Sequence, residues 1–122
     1  MKFKDLPKLG EQLDGGIFAG LTTKPDGTHC AVVLLPSKRY DLNWEAAKAW
    51  ATAQGGELPS RLVAALLPAS CKPYLEPTWH WTSDELNASS AWGCTFGDGR
   101  QDINRKSYEG SAVAVRLIAL EA

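Results

Sequence analysis

The stretch TWHWTSDELNASSAWGCTFGDGRQDINRKSYEG, residues 78–110, decides the fold of this chain. It holds three of the five tryptophans, a Gly-Asp-Gly turn and a dense run of polar side chains. Residues 78–83 and 90–96 alternate between apolar and polar, the pattern of half-buried strands. The turn at 97–99 then sends the chain back, and residues 101–108 are expected to form a polar strand. We therefore expect this stretch to be both the structural centre and the contact surface.

A β-hairpin is expected before this stretch and a last strand after it. Residues 16–21 and 29–35 are apolar runs that flank Thr-Lys-Pro-Asp-Gly at 23–27, a strong turn signal. The second of these strands should end at Pro36. Residues 111–120 alternate again, which places two apolar sets on opposite faces of a strand.

Two helices are expected between the hairpin and residue 78. Residues 43–53 place their apolar side chains on one face, and Asn43 is a suitable N-cap. The same face carries Trp44 and Trp50, which we assign to the core. A second helix should begin near Pro59 and end before Pro68, because proline is favoured in a first turn and breaks a helix interior.

The whole chain indicates one α+β domain, because two domains in 122 residues would each bury too small a core. We expect a loosely held arm at 1–15 and a single domain at 16–122. The net charge of −1 argues against a dedicated nucleic-acid binder, which needs a basic excess. No apolar run approaches the roughly 20 residues of a membrane span, and the first residues lack the apolar segment of a signal peptide.

Three cysteines, Cys30, Cys71 and Cys94, form an odd number without a CxxC spacing. That usage favours buried thiols and a reducing compartment over a disulfide framework. Pairing of two of the three stays open.

Eight segments of the chain, taken in order, carry a resemblance to a known superfamily. They are GGIFAGL (15–21), LLP (34–36), NWEAAKAW (43–50), GGELPSR (55–61), WHWTS (79–83), AWGCTFGDG (91–99), KSY (106–108) and AVR (114–116). They resemble phage and prophage proteins of the C-type-lectin-like superfamily. That superfamily includes the C-terminal domain of Legionella collagen-like adhesins, formylglycine-generating-enzyme-like domains and the variable proteins of diversity-generating retroelements.

The resemblance implies a C-type-lectin-like α+β fold. In it an antiparallel sheet joins both termini, two helices flank the sheet, and a loop-rich second half carries the ligand contacts. It also implies a binding or display role more often than catalysis. Calcium-dependent lectins of this kind use Glu-Pro-Asn followed by Trp-Asn-Asp, whereas this chain has Glu76-Pro77-Thr78 and no Trp-Asn-Asp. The oxidising cysteine pair of formylglycine-generating enzymes is not recognisable either.

The tryptophans of the central stretch divide into core and contact candidates. We favour the core for Trp81 and Trp92, because large aromatic side chains dominate core burial, and leave Trp79 open between the two roles. The polar run after Gly97 is either a recognition surface or a solvated hairpin, and the resemblance aligns it with the part such proteins vary to change targets. The expected contact residues are Trp79, Asp84, Asn87, Arg100, Asp102, Asn104, Arg105 and Tyr108.

Metal binding is not favoured by the candidate ligands. Glu76, Asp98 and Asp102 could offer oxygen atoms to calcium, yet their spacing does not match a calcium loop. The two histidines and three cysteines lack the short ligand pairs of zinc sites. We expect neither a metal nor another cofactor.

An enzyme is the alternative from a different class. It would require Cys94, His80 and Asp98 to converge in one pocket as nucleophile, base and orienting group. Arg116, in the last strand, is expected to pair with a carboxylate, because a lone buried charge is costly.

The predicted function is a non-enzymatic binding module of phage or prophage origin that recognises a host protein or a cell-surface macromolecule. Two settings stay open. One is a receptor-binding part of a virion, and the other is a small protein in the host bacterial cytoplasm that blocks a host defence or regulatory protein. Neither a nucleic acid nor a membrane span is expected, and a homodimer stays open because an exposed sheet edge can pair with another.

Overall fold

A mixed seven-stranded sheet with one helix against each face is formed by residues 1–121, the part of the chain that the computed structural model describes. The strands follow the order β1-β2-β3-β7-β4-β5-β6 across the sheet. Their bounds are β1 Gln12–Leu13, β2 Gly16–Thr23, β3 His29–Leu42, β4 Trp79–Glu85, β5 Ser90–Thr95, β6 Arg100–Arg105 and β7 Gly110–Ala119, and the helices are α1 Trp44–Ala53 and α2 Arg61–Ser70. The predicted α+β class is confirmed.

The strand β7 lies at the centre of the sheet and contributes to two cores. Val113 and Val115 point into the core that α2 covers, whereas Ala112 and Ala114 point into the core that α1 covers. The small alanines leave room for Trp44 of α1, which is 4% exposed. Because β7 is antiparallel to β3 and parallel to β4, the expectation of a purely antiparallel sheet is wrong.

Side-chain caps define where both helices begin. The Oδ1 atom of Asn43 accepts the backbone N–H of Ala46 at 2.9 Å, as expected for the start of α1. The Oγ atom of Ser60 accepts the N–H of Val63 at 3.2 Å, so α2 begins after Ser60. Pro59 therefore precedes the cap and does not occupy the first turn.

Pro68 lies inside α2 and does not end it, contrary to the prediction. The helix continues to Ser70, whose hydroxyl lies 2.5 Å from the carbonyl oxygen of Ala19 on β2. This contact with the sheet fixes the last turn. The same hydroxyl lies 3.0 Å from the carbonyl of Leu66, which supports the turn around the proline.

Pro36 likewise does not end β3, which runs on to Leu42. The pairing of β3 with β7 shifts register between Leu34 and Lys38, so the proline falls at an irregularity where the ladder is interrupted. A proline is tolerated at such a position because no ladder hydrogen bond is needed there.

The second half of the chain is richer in strands than the resemblance implied. The three strands β4, β5 and β6 pair antiparallel in sequence, and the connections span only 86–89 and 96–99. The contact candidates therefore lie mostly on strands, whose backbone is fixed by neighbours.

The first fifteen residues, where a loosely held arm is expected, contact the sheet at several points. Lys2 forms a parallel bridge with Glu121, and β1 pairs with β2. Asp14 accepts a hydrogen bond from Nη1 of Arg116 at 3.0 Å, which supplies the carboxylate expected for that arginine. All three cysteines are buried and unpaired. No helix within residues 1–121 is long and apolar enough to span a bilayer.

Candidate functional site

The strand register sorts the predicted contact residues between the two faces of the sheet. Gly93 lies opposite Trp81 on one side and opposite Asp102 on the other, so these side chains share a face. Trp79 packs with Trp81 against the core that α1 covers, at a ring-centroid distance of 4.6 Å. The alternation predicted for residues 78–83, which places both tryptophans on one face of the strand, is therefore confirmed.

Trp79 is held in one position by two glycines and one carboxylate. A Cβ atom at Gly93 would lie 1.9 Å from Cζ2 of Trp79, and one at Gly110 would lie 2.9 Å from its Cζ3. The indole thus lies directly against both backbones. Its Nε1 donates to Oδ1 of Asp102 at 2.7 Å, which fixes the ring within its plane.

The ring of Tyr108 packs against the indole rings of Trp79 and Trp81, both of which are held in place. Its ring makes edge contacts with Trp79 at 5.5 Å and with Trp81 at 6.4 Å, yet 44% of the residue remains exposed. Trp81 is fully buried and donates from Nε1 to the carbonyl of Leu42 at 2.8 Å. We call Trp79, Trp81, Asp102 and Tyr108 the aromatic platform.

Three other predicted contact residues lie on β6. Arg100 is exposed and pairs with Asp98 at 3.3 Å. Asn104 faces the same side as Asp102, because the two are separated by one residue on a strand, and its Oδ1 accepts the N–H of Arg105 at 2.9 Å. Arg105 falls on the opposite face and is exposed.

The remaining two predicted contact residues lie away from the aromatic platform. Oδ2 of Asp84 accepts the backbone N–H of Arg61 at 2.6 Å and so caps α2. Oδ1 of Asn87 accepts the N–H of Ser89 at 3.0 Å within an exposed connection. Both side chains therefore have structural partners of their own.

The prediction that Trp92 belongs to the core is wrong, because the residue is half-buried and covered by an arginine. The guanidinium Cζ of Arg61 lies 3.5 Å from the ring centroid of Trp92. Nε of Arg61 donates to Oε1 of Gln101 at 3.0 Å, and Nε2 of Gln101 donates to the carbonyl of Arg61 at 2.7 Å. The sequence carries one signal that Arg61 has a partner. A cation in the first turn of a helix is unfavourable because of the helix dipole, so another interaction must hold it there.

A cleft of about 800 Å³ opens beside this arginine, on the side of the sheet that α2 covers. Its walls come from the first turns of α2, the connection between β2 and β3, and the start of β6. Lys24, Arg61, Leu62 and Gln101 are among its lining residues.

The catalytic alternative rests on His80 and Cys94, which are register partners with 1% and 0% exposure. Burial lowers the pKa of His80 below its ordinary value, and Nδ1 donates to the carbonyl of Thr78 at 2.8 Å. Burial raises the pKa of the Cys94 thiol, which keeps it protonated. A protonated buried thiol is the opposite of an activated nucleophile. Neither residue lines the 800 Å³ cleft, and Asp98 is exposed on its turn.

The proposed oxygen ligands for calcium have protein partners instead. Glu76 accepts from the hydroxyl of Tyr40 at 3.0 Å, Asp98 accepts the N–H of Arg100 at 2.9 Å, and Asp102 accepts from Trp79. Within residues 1–121, no three His, Cys, Asp or Glu side chains gather as a set of metal ligands.

No protein-family model matches the chain, and no curated protein matches its sequence.

Proposed function

We propose that this protein is a non-enzymatic binding module with a C-type-lectin-like fold and a phage or prophage origin. The aromatic platform and the neighbouring polar side chains of β6 form its contact surface. Its partner is a host protein or a cell-surface macromolecule. The ordered segments described above support the fold and the origin, and the geometry of Tyr108 supports the contact surface.

The observation that supports this proposal most directly is that the exposed ring of Tyr108 packs against two tryptophans whose positions are fixed. Tyrosine offers a large, rigid ring with only two side-chain torsions, so it loses little conformational entropy on binding. Here that ring already rests on Trp79 and Trp81, whose own positions are fixed by hydrogen bonds. A contact group ordered in advance lowers the cost of association.

The polar surroundings suit a directional interface. Arg100 is exposed on the strand face that carries Trp79 and Asp102 of the aromatic platform, and Asn104 is half-exposed beside them. Such side chains fix the orientation of a partner, whereas a central aromatic anchor supplies most of the affinity.

The test compares two tyrosines of nearly equal exposure. Tyr108 is 44% exposed on the aromatic platform, and Tyr74 is 45% exposed in a short helical turn outside it. The wild-type protein, Tyr108→Ala and Tyr74→Ala are immobilised and exposed to host bacterial lysate and, separately, to cell-envelope material. We expect Tyr108→Ala to weaken binding of the captured partner by about 2 kcal/mol, roughly thirtyfold, and Tyr74→Ala to leave it unchanged.

The captured material distinguishes the two settings. A soluble host protein identifies an inhibitor of the host cytoplasm, whereas retention of envelope material alone identifies a receptor-binding part. Equal loss of binding in both tyrosine variants would refute the assignment of the contact surface to the aromatic platform.

A further inference from the structure

The cleft beside Arg61 faces the opposite side of the sheet from the aromatic platform and has a chemistry of its own. We propose that it is a second binding site, which takes a small organic carboxylate with an apolar body. This proposal does not rest on the function proposed above, because it uses a different face and different residues.

The Arg61 side chain is held in one orientation but keeps unused hydrogen-bond donors. One face of its guanidinium stacks on Trp92, and Nε is engaged by Gln101. The atoms Nη1 and Nη2 make no hydrogen bond with any residue in 1–121. An arginine fork that is already oriented and still has both terminal nitrogens free matches the two oxygens of a carboxylate.

The side chains that line the cleft carry more positive than negative charge. Two cations, Lys24 and Arg61, line it, and no carboxylate oxygen within residues 1–121 lies within 4.0 Å of a side-chain nitrogen of either. The one acidic residue in the lining is Asp84, and its Oδ2 already accepts the backbone N–H of Arg61. The cleft therefore has an excess of positive charge that an anion would complement.

Apolar side chains form part of the walls of the cleft. Pro25, Leu62 and Leu117 contribute to the lining, and Leu62 is 76% exposed, the largest value among the exposed large apolar residues of the chain. A volume of about 800 Å³ lies within the range of small-molecule sites. Inorganic phosphate would satisfy the arginine but leave these walls in contact with water, so an organic body is favoured.

The test is a nuclear magnetic resonance titration of the ¹⁵N-labelled protein, with the side-chain amide of Gln101 as the local reporter. The probes are benzoate and indole-3-acetate as carboxylates, benzyl alcohol as the neutral analogue, and inorganic phosphate. We expect saturable shifts with at least one carboxylate, and at least about tenfold weaker binding of both the alcohol and phosphate.

The variants separate the arginine fork from its charge. Arg61→Lys keeps the charge but loses the fork and its stacking on Trp92, so carboxylate affinity should fall at least about tenfold. Arg39→Lys, the same change at an exposed residue of β3 outside the cleft, should leave affinity unchanged. Affinity retained in Arg61→Lys, or equal binding of the alcohol or of phosphate, would overturn the proposal. So would the absence of saturable shifts with both carboxylates, an outcome that needs only the wild-type protein.

Discussion

The contact between Trp79 and Gly93 predicts the effect of a single added methyl group. In Gly93→Ala the new Cβ would meet ring atoms of Trp79 at 1.9 Å, 2.1 Å and 2.6 Å, whereas real Cβ contacts stay above 3.0 Å. The backbone at Gly93 pairs with Trp81 on one side and Asp102 on the other, so it cannot withdraw without breaking the ladder. The indole must therefore leave its position.

The expected cost follows from the contacts that the displaced indole loses. The hydrogen bond from Nε1 to Asp102 contributes about 1 kcal/mol, the value of an ordinary hydrogen bond, because this carboxylate is exposed and its charge is screened by water. The edge contacts with Trp81 and Tyr108 contribute roughly 1 kcal/mol each. We expect the free energy of unfolding to fall by about 3 kcal/mol, which a domain with a total of about 5–15 kcal/mol can survive.

Urea denaturation followed by far-ultraviolet circular dichroism measures this cost without relying on tryptophan fluorescence, which the substitutions themselves alter. Removal of the ring in Trp79→Ala makes room for the methyl group. In that background Gly93→Ala should cost less than about 1 kcal/mol, so the two changes are strongly non-additive.

Gly99→Ala is the matched control. A Cβ at Gly99 meets nothing within 4 Å, but its φ of +79° favours glycine, so the change should cost about 1 kcal/mol in either background. An equal cost of Gly93→Ala with and without the Trp79 ring would refute the contact that underlies the aromatic platform.

Two further predictions concern His80 and Pro68. Because burial lowers the pKa of His80 in the folded protein from 6.5, the unfolded chain binds a proton that the folded chain does not, and the free energy of unfolding should fall as the pH drops below 6.5. Urea titrations should show a shallower fall in His80→Asn, and an unchanged fall would contradict this origin. Pro68→Ala restores an N–H that can donate to the carbonyl of Ala64, so thermal unfolding should show a stability gain of about 1–2 kcal/mol. A lower midpoint would mean that packing of the proline ring outweighs the missing hydrogen bond.

The elements that the sequence predicts well are those with local causes. The start of α1 follows from Asn43, whose side chain needs only a partner three residues away. The two faces of β7 follow from strict alternation along one strand. The predictions for Pro68 and Pro36 are wrong because long-range contacts decide what these prolines cost. Ser70 ties the end of α2 to β2, and Pro36 falls at an interruption of the ladder between β3 and β7.

The parts that the sequence does not predict depend on register between distant segments. Nothing local indicates that β4 pairs parallel to β7, with His80 opposite Ser111. Trp92 alternates like a core residue, but the first turn of α2 brings Arg61 over its ring. Trp79 packs against Gly93 only once β4 and β5 are aligned. The composition of residues 78–110 therefore indicates an aromatic contact surface, but it does not predict the geometry of the aromatic platform.

The central position of β7 has a consequence for how the chain folds. This strand follows all the others in sequence, yet it separates β1, β2 and β3 from β4, β5 and β6. Before it is in place, the two groups of strands have no common ladder, and each of the two cores lacks one wall. Its pairing with β3 also closes a loop that contains both helices, which carries a large entropic cost at the barrier. Folding should therefore be slow for a domain of this size, with insertion of β7 as the committing step.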